Sequence, residues 1–288
     1  MTAPLREQIG RAREALVGAG IAQDEAALDA EVLARHALGW NRAQMLTCWH
    51  LPPPEAFQPA YGSLVVRRAA REPVAFIVGH REFWGLEFYV SSAVLIPRPE
   101  TELIVEQALR RSARGRSLRI VDVGTGSACV AVALGHELPS AHILAIDCSE
   151  AALAVAARNV SRHGLSGRVQ LVRGNLLDTV VGPVDLIVSN PPYVARSDAP
   201  LLQPEVVRFE PGTALFADED GMAVLRALCE TAGARLAPDG FLIVEFGAGQ
   251  DSALRVMAQA LGWRIQIAPD LAGIPRVAVM SRAARTEA

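Results

Sequence analysis

The run Asn190-Pro191-Pro192-Tyr193 brings together groups that could do chemistry. The mostly apolar run 184–188 before it is typical of a buried parallel strand. The prolines fix φ and remove N–H donors, so the Asn190 side chain and the neighbouring carbonyls are held rigid as acceptors. Rigid acceptors beside an aromatic ring suit a planar NH2 group, as on a carboxamide or a nucleobase. Ligands of open α/β sheets bind beyond the carboxyl ends of strands, so the run predicts a substrate site, although Asn-Pro alone would more simply be a turn.

A glycine-rich turn forms the second candidate site. Gly124, Thr125 and Gly126 follow a strand predicted for residues 118–123, and a helix is expected over residues 127–138. Glycine at these positions permits a left-handed backbone and the close approach of a ligand. Asp147 ends the next predicted strand, where a carboxylate accepts hydrogen bonds from ribose hydroxyls. The turn and this carboxylate fit a nicotinamide dinucleotide as well as S-adenosylmethionine, because both ligands carry a ribose.

Two neighbouring residues favour S-adenosylmethionine. The third glycine of the dinucleotide-binding pattern G-x-G-x-x-G would fall at Cys129, which weakens a diphosphate site. Asp122 lies two residues before Gly124, and its negative charge suits a cationic ligand better than a diphosphate. We therefore expect a cofactor with a positively charged sulfur.

The elements that position these residues are predicted from hydrophobic periodicity. Strands and helices alternate from residue 118 onward, which predicts a doubly wound, mostly parallel α/β sheet. Two closing strands, near residues 263–267 and 276–280, have no helix between them, so we expect an antiparallel final hairpin. The fold class is therefore α/β, with a Rossmann-like sheet whose last strand is antiparallel.

The first part of the chain has a different pattern. Residues 5–70 follow a helical apolar period, which predicts a small helical bundle. Residues 74–79 and 86–90 are rich in aromatic and β-branched side chains, which predicts a β-hairpin. The predicted domains are a helical domain over residues 1–72, a hairpin linker over residues 73–98 and the Rossmann-like domain over residues 99–288.

Composition restricts the class of protein. The 288 residues have a formal net charge of −3, which disfavours a protein that grips duplex nucleic acid through many phosphates. Four widely spaced cysteines without a CxxC pair, and scattered histidines, predict neither disulfides nor a metal site. No apolar run approaches the length of a membrane span, and the first residues lack an apolar signal core. We expect a cytoplasmic protein without membrane contact.

These motifs resemble those of a known group of enzymes. The glycine turn, Asp147 and the Asn190–Tyr193 run together resemble class I S-adenosylmethionine-dependent methyltransferases that act on planar amino groups. Further motifs extend the resemblance along nearly the whole chain to the HemK-like glutamine methyltransferases of peptide-chain release factors. These motifs are Arg81-Glu82-Phe83-Trp84, Ile96-Pro97-Arg98-Pro99-Glu100-Thr101, Val207-Arg208-Phe209-Glu210-Pro211, Glu245-Phe246-Gly247 and Leu271-Ala272-Gly273.

The resemblance implies methylation of the side-chain amide nitrogen, N5, of the glutamine in the Gly-Gly-Gln loop of class I release factors. S-adenosylmethionine would be the donor and S-adenosylhomocysteine the product, with no metal and no direct nucleic-acid contact. We expect the Asn190 side-chain oxygen and the Pro191 carbonyl to accept the two N–H bonds of the substrate amide. Pro192 would complete the substrate site, and Tyr193 would pack on the amide plane.

The remaining cofactor residues include Asn175, Leu176 and Asn190. We expect Phe83 to enclose the cofactor methyl, and Glu100 and Asp122 to serve the charged end of the cofactor. Glu100 and Asp122 would equally suit a helix-start charge and a loop cap. The chain departs from the family at two positions, Ala128 in place of a frequent third glycine and Leu176 in place of a frequent aromatic residue.

Two other function classes fit parts of the pattern. An amino-directed nucleic-acid methyltransferase, for example one acting on N6 of adenine, uses the same NH2 chemistry but needs base flipping in duplex targets and a target-recognition region. A non-catalytic binding module would retain the fold without the transfer, and the intact Asn190–Tyr193 run argues against it.

Overall fold

A computed structural model describes residues 3–112, 115–218 and 220–282 of the chain. The chain divides into two compact units. The first holds the residues up to His80 together with Gln203–Phe209, and the second holds Arg81–Leu202 and the residues from Glu210 onward. Each unit has its own hydrophobic core.

The first unit is helical. Its core includes Leu5, Leu16, Leu33 and Phe57, all of which are almost fully buried. The helices are α1 (Leu5–Gly18), α2 (Gln23–Leu38), α3 (Arg42–Thr47), α4 (Phe57–Ala69), α5 (Val74–Val78) and, much later in the chain, α9 (Pro204–Phe209).

The strand predicted for residues 74–79 is wrong, because this segment forms the short helix α5. Pro73 precedes the helix with a φ of −58°, which suits a helix start, and Gly79 ends it with a φ of 81°. The helix places Ile77 in the core of the first unit, and this burial outweighs the strand preference of the β-branched side chains.

The hairpin exists, but its first strand lies later than predicted. It pairs β1 (His80–Phe83) with β2 (Leu86–Tyr89). Trp84 and Gly85 join them with φ values of 54° and 68°, as in a two-residue type I′ turn.

The second unit continues with a 3-10 turn over Pro99–Thr101 and then alternates strands with helices. In chain order these are α6 (Glu102–Leu109), β3 (Arg119–Val123), α7 (Cys129–Glu137), β4 (His142–Asp147), α8 (Glu150–Arg162), β5 (Val169–Arg173), β6 (Val184–Ser189), a 3-10 segment (Arg196–Leu201), α10 (Gly212–Leu215), α11 (Ala223–Ala232), β7 (Leu236–Glu245), α12 (Asp251–Ala260), β8 (Trp263–Pro269) and β9 (Pro275–Arg282).

The seven-stranded sheet confirms the predicted fold class. Its strand order is β5-β4-β3-β6-β7-β9-β8, and β9 runs antiparallel to both of its neighbours. Val123 pairs with Ser189 in a parallel register, and Ser189 pairs in turn with Val244. The turn after Val123, Asn190 and Glu245 therefore lie side by side at the carboxyl edge of the sheet.

Two kinds of feature are absent from the described residues. No helix within them is long and apolar enough to cross a membrane. In that same part of the chain, no three His, Cys, Asp or Glu side chains come together as a metal site.

Candidate active site

The glycine turn opens onto a cavity of the second unit. The backbone N–H groups of Gly124 and Thr125 both donate to the carbonyl of Ile146, at 2.8 and 2.9 Å, so β4 holds the turn in place. Gly124 and Gly126 have φ values of 69° and 54°. A Cβ at either glycine would have no other atom within 4 Å, which means that the backbone borders open space where a ligand can approach closely.

Asp122 lies beneath this turn with only 2% of its surface exposed. Its Oδ2 accepts a hydrogen bond of 2.6 Å from the Thr125 hydroxyl, and its carboxylate also accepts from the backbone N–H of Ala131 in the first turn of α7. Burial raises the pKa of Asp122 to about 6, and nearby Asp147 also acts to raise it. At neutral pH the cavity is therefore lined by a poorly solvated negative charge, which favours a cationic ligand.

Asp147 fixes the other side of the turn. Its two carboxylate oxygens accept from the backbone N–H groups of Gly126 and Ser149, each at 2.9 Å. A carboxylate offers about four acceptor positions, so Asp147 retains capacity for the hydroxyls of a ligand. Asp147 lines the cavity, as the position at the end of β4 predicts.

Asn190 lies on the same cavity, at the end of β6. Its Nδ2 donates to the Thr101 hydroxyl at 2.9 Å. That hydroxyl donates to Oε2 of Glu245 at 2.7 Å, while the Tyr193 hydroxyl donates to Oε1 of Glu245 at 2.9 Å. With its nitrogen engaged by Thr101, the amide of Asn190 has its oxygen available as an acceptor.

The cavity collects most of the residues that the sequence predicted for the site. Ten of them line it: Asp122, Gly124, Thr125, Gly126, Asp147, Asn175, Leu176, Asn190, Pro191 and Pro192.

Three predicted site residues are not among those that line the cavity. Phe83 is 1% exposed and packs edge-to-face on Phe88, with ring centroids 6.2 Å apart, because the hairpin turns it into the core. Tyr193 packs against the core with its hydroxyl bound to Glu245, and burial raises its pKa. Glu100 lies on the exposed surface of the 3-10 turn.

Of the two departures from the family pattern, Leu176 lines the cavity, and Ala128 lies in sequence between two lining residues, Ser127 and Cys129. Ala128 has a φ of 63°, and this left-handed residue delays the start of α7 to Cys129, two residues after the predicted start. Leu176 lines the cavity and also has a positive φ, 50°, which is rare for a residue with a branched side chain.

The sequence analysis did not predict that Thr101 and Glu245 are connected to Asn190 by hydrogen bonds, although both residues lie in motifs on which the resemblance rests. The signal for Glu245 was an acidic residue directly after the apolar run of β7, where burial of a carboxylate needs hydrogen-bonding partners. Only the register of β6 on β7 brings it beside Asn190.

The chain matches two known protein families. Residues 7–79 match the PrmC N-terminal domain, and residues 99–207 match the Methyltransferase small domain. A release factor glutamine methyltransferase of Xylella fastidiosa is 45% identical over 82% of this chain and 85% of that protein. A release factor glutamine methyltransferase of Cereibacter sphaeroides is 43% identical over 91% of this chain and 92% of that protein.

Solved structures agree on the fold. The hMettl16 catalytic domain, crystallised with a 3′UTR hairpin, is 19% identical with a TM-score of 0.56 over 76% of this chain and 82% of that chain. A methyltransferase from Pyrococcus furiosus is 19% identical with a TM-score of 0.51 over 76% of this chain and 95% of that chain. These likenesses confirm the class I methyltransferase fold.

Proposed function

Because this chain belongs to the release factor glutamine methyltransferases, we propose that it methylates N5 of the glutamine in the Gly-Gly-Gln loop of class I release factors. S-adenosylmethionine is the proposed donor and S-adenosylhomocysteine the product. The observation that supports the proposal is a single cavity lined both by a turn that can hold a cofactor and by residues that can hold a substrate amide. The open glycine turn and the residues Asn190 and Pro191, which offer acceptors, line the same cavity.

The residues of the glycine side fit S-adenosylmethionine. Gly124 and Gly126 leave room for the ligand against the backbone, and Asp147 supplies acceptors for ribose hydroxyls. The buried charge of Asp122 matches a ligand with a positive charge, and Asn175 and Leu176 line the same cavity. When bound, this cofactor supplies an electrophilic methyl group on a positively charged sulfur.

The residues of the Asn190 side suit a carboxamide. A carboxamide nitrogen is a poor nucleophile because its lone pair is delocalised, so orientation matters more than activation by a base. Oδ1 of Asn190 and the carbonyl of Pro191 accept the two N–H bonds of the substrate amide, which fixes the plane of the amide. Positioning of this kind lowers a barrier by roughly 7–11 kcal/mol in favourable cases. The proton of the methylated nitrogen then leaves to water.

The roles first expected for three residues change in this proposal. Phe83 serves the packing around the site, since it is buried against Phe88, and Tyr193 acts through its hydrogen bond to Glu245 and not by packing on the substrate amide. Glu100 keeps no part in cofactor binding, since it is exposed and does not line the cavity.

We place the enzyme in the cytoplasm. All four cysteines, Cys48, Cys129, Cys148 and Cys229, are free thiols, as is typical of a reducing compartment. Class I release factors are the proposed protein partners, with no membrane and no nucleic acid bound directly.

A methyl-transfer assay tests this function. The purified protein is incubated with methyl-labelled S-adenosylmethionine and one of three acceptors: an intact release factor, its Gln→Ala loop variant, or DNA and RNA. We expect label in the intact release factor alone. Label in the Gln→Ala variant would contradict the assignment of the acceptor, and label only in nucleic acid would favour the amino-directed nucleic-acid methyltransferase.

A further inference from the structure

A chain of hydrogen bonds runs from Asn190 to a buried carboxylate. Nδ2 of Asn190 donates to Thr101 at 2.9 Å, and the Thr101 hydroxyl donates to Glu245 at 2.7 Å. The Tyr193 hydroxyl donates to the second oxygen of Glu245 at 2.9 Å. Thr101 and Glu245 are 3% and 1% exposed, so water has little access to replace any of these partners.

The direction of these hydrogen bonds follows from the two hydroxyls that donate to Glu245, one to each carboxylate oxygen. An ionised carboxylate only accepts hydrogen bonds, so it takes the single hydroxyl proton of Thr101. The Thr101 oxygen is then left as an acceptor, and the group it accepts from is the NH2 end of the Asn190 amide. The opposite amide orientation would place the NH2 of Asn190 against the NH2 of the substrate, donor against donor.

We propose that Thr101 and Glu245 are positioning residues that hold the Asn190 amide with its oxygen toward the substrate. The proposal rests on the proposed function, in which that oxygen accepts an N–H of the substrate glutamine. Tyr193 belongs to the same set, because its hydroxyl engages the remaining oxygen of Glu245. The preference of Asn190 for a substrate NH2 group therefore depends on the carboxylate of Glu245, although Glu245 does not itself line the cavity.

The surroundings of Glu245 make its charge sensitive to pH. Burial raises the pKa of Glu245 above its usual 4.5, and Glu100 in the 3-10 turn raises it further. The hydrogen bonds from Thr101 and Tyr193, and the charge of Arg276 on β9, lower it. Protonated Glu245 has a proton of its own to donate, so the direction of the chain is no longer fixed.

A pair of substitutions at Thr101 tests the positioning role. Thr101→Val removes the hydroxyl at constant shape, and Thr101→Ser keeps it. At saturating cofactor and release factor we expect Thr101→Val to lower kcat by about 10- to 100-fold, less than the loss of a group that touches the reacting atoms. Thr101→Ser should recover most of that loss. Thr231→Val, on the exposed surface of α11, is the matched control and should keep the wild-type kcat.

Two further measurements separate positioning from a general loosening of the fold. The cofactor Kd of Thr101→Val should stay within about threefold of wild type, since Asp122 and Asp147 are untouched. Glu245→Gln should also lower kcat, and it should remove the fall of the wild-type kcat that we expect as pH drops through the raised pKa of Glu245.

These assays test the positioning role of Thr101 and Glu245 separately from the proposed methyltransferase activity. Wild-type transfer to the intact release factor, and none to its Gln→Ala variant, establishes the activity on its own. With that activity present, a wild-type kcat in Thr101→Val would overturn the positioning role. So would equal losses in Thr101→Val and Thr101→Ser. If Thr101→Val fails to fold, Glu245→Gln decides: an unchanged kcat and pH profile would overturn the proposal.

Discussion

Burial and a bound cation have opposite effects on the ionisation of Asp122. Burial raises its pKa from 3.8 to about 6, so the folded protein binds the proton more tightly than the unfolded chain does. The free energy of unfolding of the unliganded protein therefore falls as pH rises from about 4 to about 6, by an amount on the order of 3 kcal/mol. A cation bound in the cavity offsets that cost, because it stabilises the ionised form.

We expect the affinity for S-adenosylmethionine to rise with pH through this range. With a pKa of about 6, Asp122 is roughly one-tenth ionised at pH 5 and nine-tenths at pH 7, so the Kd should tighten by up to about tenfold. Calorimetric titration at both pH values measures this, and Asp122→Asn should bind weakly without the pH dependence.

The matched control for this titration is Asp239→Asn, because Asp239 is an exposed residue of β7 that does not line the cavity. This variant should bind the cofactor as the wild type does. A wild-type Kd that is the same at pH 5 and pH 7 would contradict the electrostatic role of Asp122.

Individual residues of the site differ in how far the sequence predicted them. Asn190 and the glycine turn were predictable because proline, glycine and an amide each impose a local geometry or chemistry. The role of Glu245 was not predictable, because Glu245 lies beside Asn190 only through the pairing of Ser189 with Val244 in the sheet. Phe83 was misplaced for a related reason, since the sequence does not say on which face of the hairpin its ring packs.

At the scale of elements, the start of α7 shows how the chain accommodates a residue that does not suit its backbone. Ala128 has a φ of 63°, where an L-residue costs about 1–2 kcal/mol relative to glycine. The same side chain is fully buried, and its methyl group contributes about 0.8 kcal/mol. Alanine also restricts the unfolded chain, which favours folding by about 0.4–1 kcal/mol.

These opposing contributions nearly cancel, so Ala128→Gly should change the free energy of unfolding by less than about 1 kcal/mol. Urea denaturation measures the difference. Ala133→Gly, in the middle of α7 and equally buried, is the control and should destabilise the protein by about 1.5–2 kcal/mol. If both variants were destabilised alike, the backbone strain at Ala128 would not be offset as described.

The order of elements was largely predictable, and their boundaries less so. The alternation after residue 118 and the antiparallel end of the sheet follow from periodicity and from the missing helix between β8 and β9. The helix α5 did not follow, because a short apolar run fits a strand and a buried helix equally well. Its type was decided by burial of Ile77 in the helical core.

At the scale of the whole molecule, the chain leaves the second unit after Leu202 and returns to it at Glu210. The intervening segment, Gln203–Phe209, is part of the first unit. There Glu205 of α9 accepts from Arg68 at 2.8 Å and from Arg71 at 2.7 Å, while Arg68 also donates to Asp29 at 2.6 Å. Sequence analysis did not predict this cluster, because its members lie far apart along the chain.

In the proposed function, Asn190 orients the substrate amide and contributes little to holding the cofactor. Single-turnover methylation of an intact release factor by Asn190→Ala, together with titration of S-adenosylmethionine, tests it most directly. We expect the rate to fall by about 100-fold or more while the cofactor Kd stays within about threefold of wild type. Equal losses in rate and in cofactor affinity would contradict this role of Asn190.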